Sequence, residues 1–580
     1  MRTSSLFLLG LALPLAGAVA SASGETLTVT TLHDVRDFGG AQRIADLPGP
    51  DGRVSFGEAV TAANNQPGPQ TIHFAIPLAE YWLVKQVALL ELEIGPFFLS
   101  DDGTTIDFRT QTAFAGDTNA NGWEVGIYGL EPNGWGVAAI LVAADDCTLI
   151  GLDDVYLRGY AVEISGNRNR VMGFTTSGPL HAAIRIEGTF GFTPATGNVI
   201  GGTGPGEGNV VSGGSAGISI ACPAEDNVVI GNTCIGSPHT GIQVIGASQY
   251  SCLSRGNRIG GPTPAERNWV AANGSFGEEG FPLGTQISVV DAEDTLLQGN
   301  FVGTTEDGLA DHPVQVGPVG IGVRDAHRTT VAGNLVSGTL HVGTNHYQGV
   351  RFGTAISVTG ACADTRIVGN LVGTDVLGVN PLPNVLGIVV DSLVFRPART
   401  RIGGTLPGEG NTVAFSERAG ITVGWSVETA TIRGNRILEN GALGIDLLTF
   451  AGTGVTPNDP LDADEEGGNH LQNFPVLRGA TVAGASLFVT GRLESAPLSV
   501  YALDFYASPT RDPSGFGEGA LYLGSTQVAT DAAGRAAIFA AFTRHVPRGW
   551  FVTATATDLG PGETSEFAAC VRVTRTLGVH

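Results

Sequence analysis

Gly217-Ile218-Ser219-Ile220 and Gly241-Ile242-Gln243-Val244 share one pattern: a small residue, then two β-branched aliphatics flanking a polar position. Alternation over four or five residues marks a short strand with one buried face. The cassette appears earlier as Ala139-Ile140-Leu141-Val142, Ala161-Val162-Glu163-Ile164 and Ala183-Ile184-Arg185-Ile186. It returns as Gln286-Ile287-Ser288-Val289, Gly320-Ile321-Gly322-Val323, Ala355-Ile356-Ser357-Val358, Gly387-Ile388-Val389-Val390, Gly420-Ile421-Thr422-Val423 and Gly444-Ile445-Asp446-Leu447. The shortest intervals are about 22–24 residues, and longer ones carry loop insertions.

A second cassette lies between these strands and closes in Gly-Asn, as in Val229-Ile230-Gly231-Asn232, Leu297-Gln298-Gly299-Asn300 and Val368-Gly369-Asn370. Gly supplies positive φ without a steric cost, and Asn tolerates the left-handed region. Stacked units bring like residues above one another, so an inward Asn meets the Asn of the next coil and inward Ile and Val form aliphatic columns. One short strand per side of a coil, without intervening helices, predicts an all-β fold, a parallel β-helix. A β-propeller would require about four strands in every 40–45 residues, plus closure.

Repetition stops near Leu448. Beyond it run longer alternating strands, around residues 498–506, 536–542 and 550–557, separated by turn signals such as Asp531-Ala532-Ala533-Gly534. These predict a C-terminal antiparallel β-sandwich. Near the other end, Ser55 with Glu58 three residues on, then Ala59, Val60, Ala62 and Ala63, reads as a capping box opening a short amphipathic helix. Such a helix suits the open end of a β-helix, whose unpaired strand row invites aggregation. The expected organisation is a leader at 1–22, a capping module with first irregular coils at 23–137, the β-helix at 138–450, an acidic linker at 451–480 and the sandwich at 481–580.

The runs Asn198-Val199-Ile200-Gly201-Gly202-Thr203-Gly204-Pro205-Gly206-Glu207-Gly208-Asn209 and Arg401-Ile402-Gly403-Gly404-Thr405-Leu406-Pro407-Gly408-Glu409-Gly410-Asn411 are distinctive, as is Gly299-Asn300-Phe301-Val302-Gly303-Thr304. They resemble bacterial secreted right-handed parallel β-helix repeat proteins of pectin-lyase-like fold. Many of those carry an N-terminal module named for its Cys-Ser-Leu-Arg-Glu-Ala (CSLREA) signature. Here the matching stretch, Val54-Ser55-Phe56-Gly57-Glu58-Ala59, keeps Ser and Glu-Ala but lacks the Cys, Leu and Arg. The resemblance implies the right-handed β-helix and a surface location. It also implies that Cys570 lacks its usual partner, because Arg511 stands where relatives commonly have Cys.

Composition narrows the function. The chain of 580 residues is 42% hydrophobic and carries 31 Lys and Arg against 55 Asp and Glu, a net charge of −24. Nucleic-acid binding requires clustered cations to displace counterions, so such a partner is not expected. Arg2, an apolar run over 6–19 and small residues at Ala18-Val19-Ala20 or Ala20-Ser21-Ala22 read as a secretory signal. The run is too short for a membrane span of about 20 residues, so a secreted, cell-surface or periplasmic location is expected, with no membrane span. Six cysteines (Cys147, Cys222, Cys234, Cys252, Cys362 and Cys570) are too scattered for a disulfide scaffold. Buried thiols with one or two staples are expected.

Enzymes of this fold place catalytic carboxylates and bases at outward positions of adjacent coils. The outward position inside each strand reads Leu141, Glu163, Arg185, Ser219, Gln243, Ser288, Gly322, Ser357, Val389, Thr422, Asp446, and the next outward position includes Glu187. Only Glu163, Arg185 and Glu187 concentrate charge on neighbouring coils. Two carboxylates beside an arginine suit acid/base work; a surface ion-pair ladder is the plainer reading. His341, His346, Tyr347 and Arg351 form a second set, on an insertion, and the sole lysine, Lys85, lies outside the regular coils. The remaining faces of Ser, Thr, Gln and Asn suit weak carbohydrate contact. The expected function is a non-catalytic surface or binding protein for polysaccharide or cell-surface glycan; the alternative is a polysaccharide lyase, hydrolase or epimerase.

The acidic segment is read either as a calcium site or as a plain solvated linker. Between β-helix and sandwich, Asn458, Asp459, Asp462, Asp464, Glu466 and Asn469 offer hard oxygen donors around Gly467-Gly468. The spacing is not that of an EF-hand.

Overall fold

The alternating cassettes form strands that stack coil on coil. The computed structural model describes residues 24–575 apart from 83–85, 93–94, 121, 130–137, 154, 157–158, 179–180, 190–192, 277–281, 315–316, 343–350 and 393–394. The leader, Lys85, His346 and Tyr347 lie outside the described residues.

Three long parallel sheets, of 13, 12 and 9 strands, run the length of a β-helix. A typical coil contributes Val199–Gly201, Val210–Ser212 and Ala216–Ala221, one strand to each. The next contributes Val228–Ile230, Thr233–Ile235 and Thr240–Ile245. Ile218 pairs with Ile242 and Ile220 with Val244, and all four are fully buried. β-Branched side chains pack well on a pleated surface, so each column of like residues forms one rib of a continuous core.

The Gly-Asn turns place their asparagines inside. Asn209, Asn232, Asn268, Asn300, Asn334, Asn370, Asn411 and Asn435 form a buried ladder in which each Nδ2 donates to the next Oδ1 at 2.8–3.1 Å. A second ladder runs from Asn198 through Asn227 to Asn257, at 2.9 and 3.1 Å. Each side chain also bonds backbone that the turn would otherwise leave unpaired, as Asn300 Nδ2 does with the Ile259 carbonyl. Cys222 and Cys252 form a disulfide, while Cys147, Cys234 and Cys362 are buried free thiols. Cys570 is half-buried and free.

Both ends are covered. The helix Phe56–Asn64 opens with the expected capping box: the Glu58 amide donates to Ser55 Oγ and the Ser55 amide to Glu58 Oε2, both at 3.1 Å. Its Phe56 packs against Phe74, Phe97 and Phe108 inside the first coils. At the other end, seven strands form a mixed sheet folded around a second core. Its strands Val500–Ser508 and Phe551–Asp558 are buried along almost their whole length, because one side faces this core and the other faces the last coil. Side chains from the sandwich accept the amides that the last coil leaves open: Thr564 Oγ1 that of Ile432, Glu566 Oε1 that of Leu447 and Glu518 Oε1 that of Asn440.

Candidate active site

The strands of the 12-stranded sheet hold the expected outward row in register. Leu141, Glu163, Arg185, Ser219, Gln243 and Ser288 are successive partners on adjacent strands. Glu187, two residues beyond Arg185, pairs with Ala221. The structure thus brings together the three charged residues that the sequence singled out.

It adds three more. The strand Tyr160–Ile164 begins one residue before the cassette, and Tyr160 lies opposite Ala182. His181, Ser215 and His239 each immediately precede a strand of the same sheet. The Ala216 amide donates to the His181 carbonyl, the Thr240 amide to that of Ser215 and the Thr285 amide to that of His239. This stacks the three positions along one edge. Between that edge and the outward row, Ala182 and Ala216 are small and leave space. The result is a groove of about 430 Å³ lined by Tyr160, His181, Arg185, Glu187, His239 and Gln243, among others. The small residues at 182 and 216 were the available sequence signal, but they stand outside the two outward positions read from the cassette.

Arg185 organises the groove. Its guanidinium lies 4.9 Å from the centre of the Tyr160 ring, donates to the Tyr160 hydroxyl and forms an ion pair with Glu187. A cation over an aromatic face holds its position through the ring quadrupole. Glu163 sits one rung beyond Arg185, half-buried. Burial pushes its carboxyl above the ordinary value, Arg185 pulls it down, and the nearby Glu187 charge pushes it up again, with a net rise. Gln243 Nε2 donates to Ser219 Oγ at 2.9 Å along the floor. The groove therefore holds a carboxylate in an ion pair, a fixed cation and neutral hydrogen-bonding groups, and Glu163 stands beside it on the adjacent strand, outside the lining residues.

Of the other set read from the sequence, only His341 and Arg351 lie among the described residues. Arg351 forms an ion pair with Glu417, and His341 stands on a short antiparallel strand pair, His341–Val342 with Arg351–Phe352. The six residues read as calcium ligands make the following contacts in the fold. Asp462 accepts from Gln472 Nε2 at 2.6 Å, Ser495 Oγ at 2.5 Å and the Asn473 amide at 2.8 Å. Burial raises it to about 6. Asp459 accepts the Ala463 amide and Asn458 that of Phe474. Asn469 is buried, with Oδ1 on the Ala430 amide and Nδ2 on the Ala430 and Thr564 carbonyls. Asp464 is half-buried and Glu466 exposed. Among the described residues, no group of three or more His, Cys, Asp or Glu is placed to hold a metal ion.

No family model matches the chain, and no curated protein matches it. Solved structures do. The enzymatically active domain of tailspike protein 2 of bacteriophage CBA120 is 10% identical, over 89% of this chain and 73% of its own, with a TM-score of 0.34. The catalytic domain of a GH87 alpha-1,3-glucanase in complex with nigerose is 12% identical, over 71% and 65%, with a TM-score of 0.37. The periplasmic alginate epimerase AlgG is 14% identical, over 65% and 76%, with a TM-score of 0.27. The likeness is one of fold.

The expectation of a non-catalytic surface module is corrected here. The structures the chain resembles are an enzymatically active tailspike domain, an alpha-1,3-glucanase catalytic domain and an alginate epimerase. The folded face gathers Arg185 and Glu187 with Tyr160 and two histidines in one groove, with Glu163 on the adjacent strand. Among the described residues, no helix is long and apolar enough to cross a membrane.

Proposed function

We propose that the chain is a carbohydrate-active enzyme that hydrolyses a neutral polysaccharide in the groove around Arg185. The observation that carries this reading is the pair of carboxyl groups flanking Arg185 in different electrostatic settings. Glu163 is biased towards protonation by burial, and Glu187 is ion-paired with Arg185. Glycoside hydrolysis uses two carboxyl groups in unlike states: one protonates the leaving oxygen, while the other activates water or attacks the sugar. Glu163 is assigned the acid role and Glu187 the second. Tyr160 and Arg185 fix Glu187, and Ser219, Gln243 and the histidines offer hydrogen bonds to sugar hydroxyls.

Proton abstraction beside a uronate, the lyase or epimerase chemistry, would call for a cation free to neutralise the substrate carboxylate. Arg185 is already paired with Glu187, and the chain carries a net charge of −24, so a neutral glycan fits better. Secretion, read from residues 1–22, belongs to the same proposal. The test is a screen of purified protein on neutral glucans, mannans and galactans beside polyuronates, scoring new reducing ends and unsaturated uronides. Reducing ends from a neutral polymer, lost in both Glu163→Gln and Glu187→Gln, are expected. Unsaturated uronides, or turnover that survives both substitutions, would overturn the assignment.

A further inference from the structure

A second groove lies on a different face, near the N-terminal end. The strands Ala88–Glu91, Val125–Tyr128 and Val155–Tyr156 form a separate three-stranded parallel sheet. Ala88 and Leu90 are fully buried, so Leu89 and Glu91 project the other way. Glu91 pairs with Tyr128, and Leu89 with Gly126, which has no side chain to fill the space beside it. With His33, Glu80 and Trp82 these residues help line a groove of about 600 Å³. Trp82 and Tyr128 are 42% and 41% exposed, although both are large aromatics.

Both carboxylates of this groove have side-chain partners. Glu80 Oε1 accepts from Arg53 at 2.7 Å, and its Oε2 accepts from Thr31 Oγ1 and the Leu32 amide at 3.0 and 3.1 Å. Glu91 Oε2 lies 2.9 Å from His33 Nδ1. Glu80 thus faces a cation and Glu91 a histidine that is charged when protonated, so both carboxylates are held in place. Carboxylate oxygens carry more lone pairs than these contacts use. Convergent polar groups beside aromatic surface are the make-up of a small-ligand site.

We propose that this groove is an accessory binding site for a neutral pyranose unit of a glycan. One C–H face of the sugar lies on Trp82 and Tyr128, whose electron-rich rings suit the slightly positive hydrogens, and hydroxyls reach Glu91, His33 and Glu80. A uronate would meet the Glu80 and Glu91 carboxylates. The site shares no lining residue with the groove around Arg185, so it would hold a polymer without acting on it. The choice of glycan rests on the function proposed above.

The test is native affinity electrophoresis of the full chain through gels containing a soluble β-glucan, an α-glucan or a galactomannan. All proteins carry Glu163→Gln, which keeps the polymer intact. One of the three polymers is expected to retard the parent protein, and Trp82→Ala and Tyr128→Ala should each weaken that binding about tenfold. Both side chains are exposed, so truncation spares the fold, and two variants guard against either failing. In the Glu163-containing chain the same truncations should leave hydrolysis of short oligosaccharides unchanged. Absence of retardation in all three gels, equal retardation of both variants, or displacement of the polymer by tetramethylammonium would overturn the proposal. Unchanged binding in the variants alongside intact hydrolysis would remove this site alone and leave the hydrolase reading standing.

Discussion

Arg433 and Asp504 join the last coil of the β-helix to the sandwich through two parallel hydrogen bonds, of 2.7 and 2.8 Å. Asp504 is fully buried, and Tyr522 donates to the same carboxylate. Breaking a buried pair from one side leaves an uncompensated charge. Asp504→Ala should therefore cost ~3–5 kcal/mol, seen in calorimetry as a lower unfolding temperature. An unchanged thermogram would show that this ion pair does not hold the two domains together.

The asparagine ladder makes a second demand on stability. Asn300 Oδ1 accepts from both the amide and Nδ2 of Asn268, and its Nδ2 donates to Asn334. Asn300→Leu orphans buried donors, each worth ~1–3 kcal/mol. Urea unfolding should report a loss of at least about 2 kcal/mol. A near-neutral effect would mean that neighbouring coils re-pair without the ladder.

Stability should also fall as the pH rises. Burial lifts Glu518 from 4.5 to about 7 and Glu566 from 4.5 to about 8. Folded-state values above the unfolded ones mean that the fold binds more protons than the open chain between these limits. Their contribution is then complete below the unfolded value of 4.5 and is lost as pH passes through about 7 and about 8. Glu518 Oε1 alone accepts both the Asn440 amide and its Nδ2, so Glu518→Gln keeps the contact. Urea midpoints should drop between acid and alkaline buffer in the wild type and drop less in this variant. Parallel pH dependences would contradict the assignment.

Much of this molecule was legible because each coil repeats a rule. Ile and Val alternate with polar residues strictly enough that the register Glu163, Arg185, Ser219, Gln243 follows from the cassette, and the pairing agrees. Gly-Asn named the turns, and stacking made Asn232 and Asn268 neighbours. The Ser55–Glu58 box needed only local chemistry. Tyr160, His181 and His239 were not legible, because they precede the cassette, and only the stacking of three strand entries makes them one edge. Asn469 and Asp462 read as oxygen donors in the sequence, which does not show what else they face. In the fold they face Ala430, Gln472 and Ser495.

Removing Arg185 should change the reaction in two ways. The guanidinium lowers the Glu163 pKa and pairs with Glu187. Arg185→Ala should reduce kcat and move the alkaline limb of the rate profile, where the acid loses its proton, to higher pH. A limb that stays in place or moves to lower pH would disconnect Glu163 from the reaction.

The most direct measurement is the rate of reducing-end release from a neutral polysaccharide as a function of pH, for wild type and Glu163→Gln. The hydrolase account predicts turnover that declines as pH rises through a value above the ordinary glutamate range, and loss of that turnover in Glu163→Gln. No release from any neutral polymer, or a Glu163→Gln profile that matches the wild type, would contradict it.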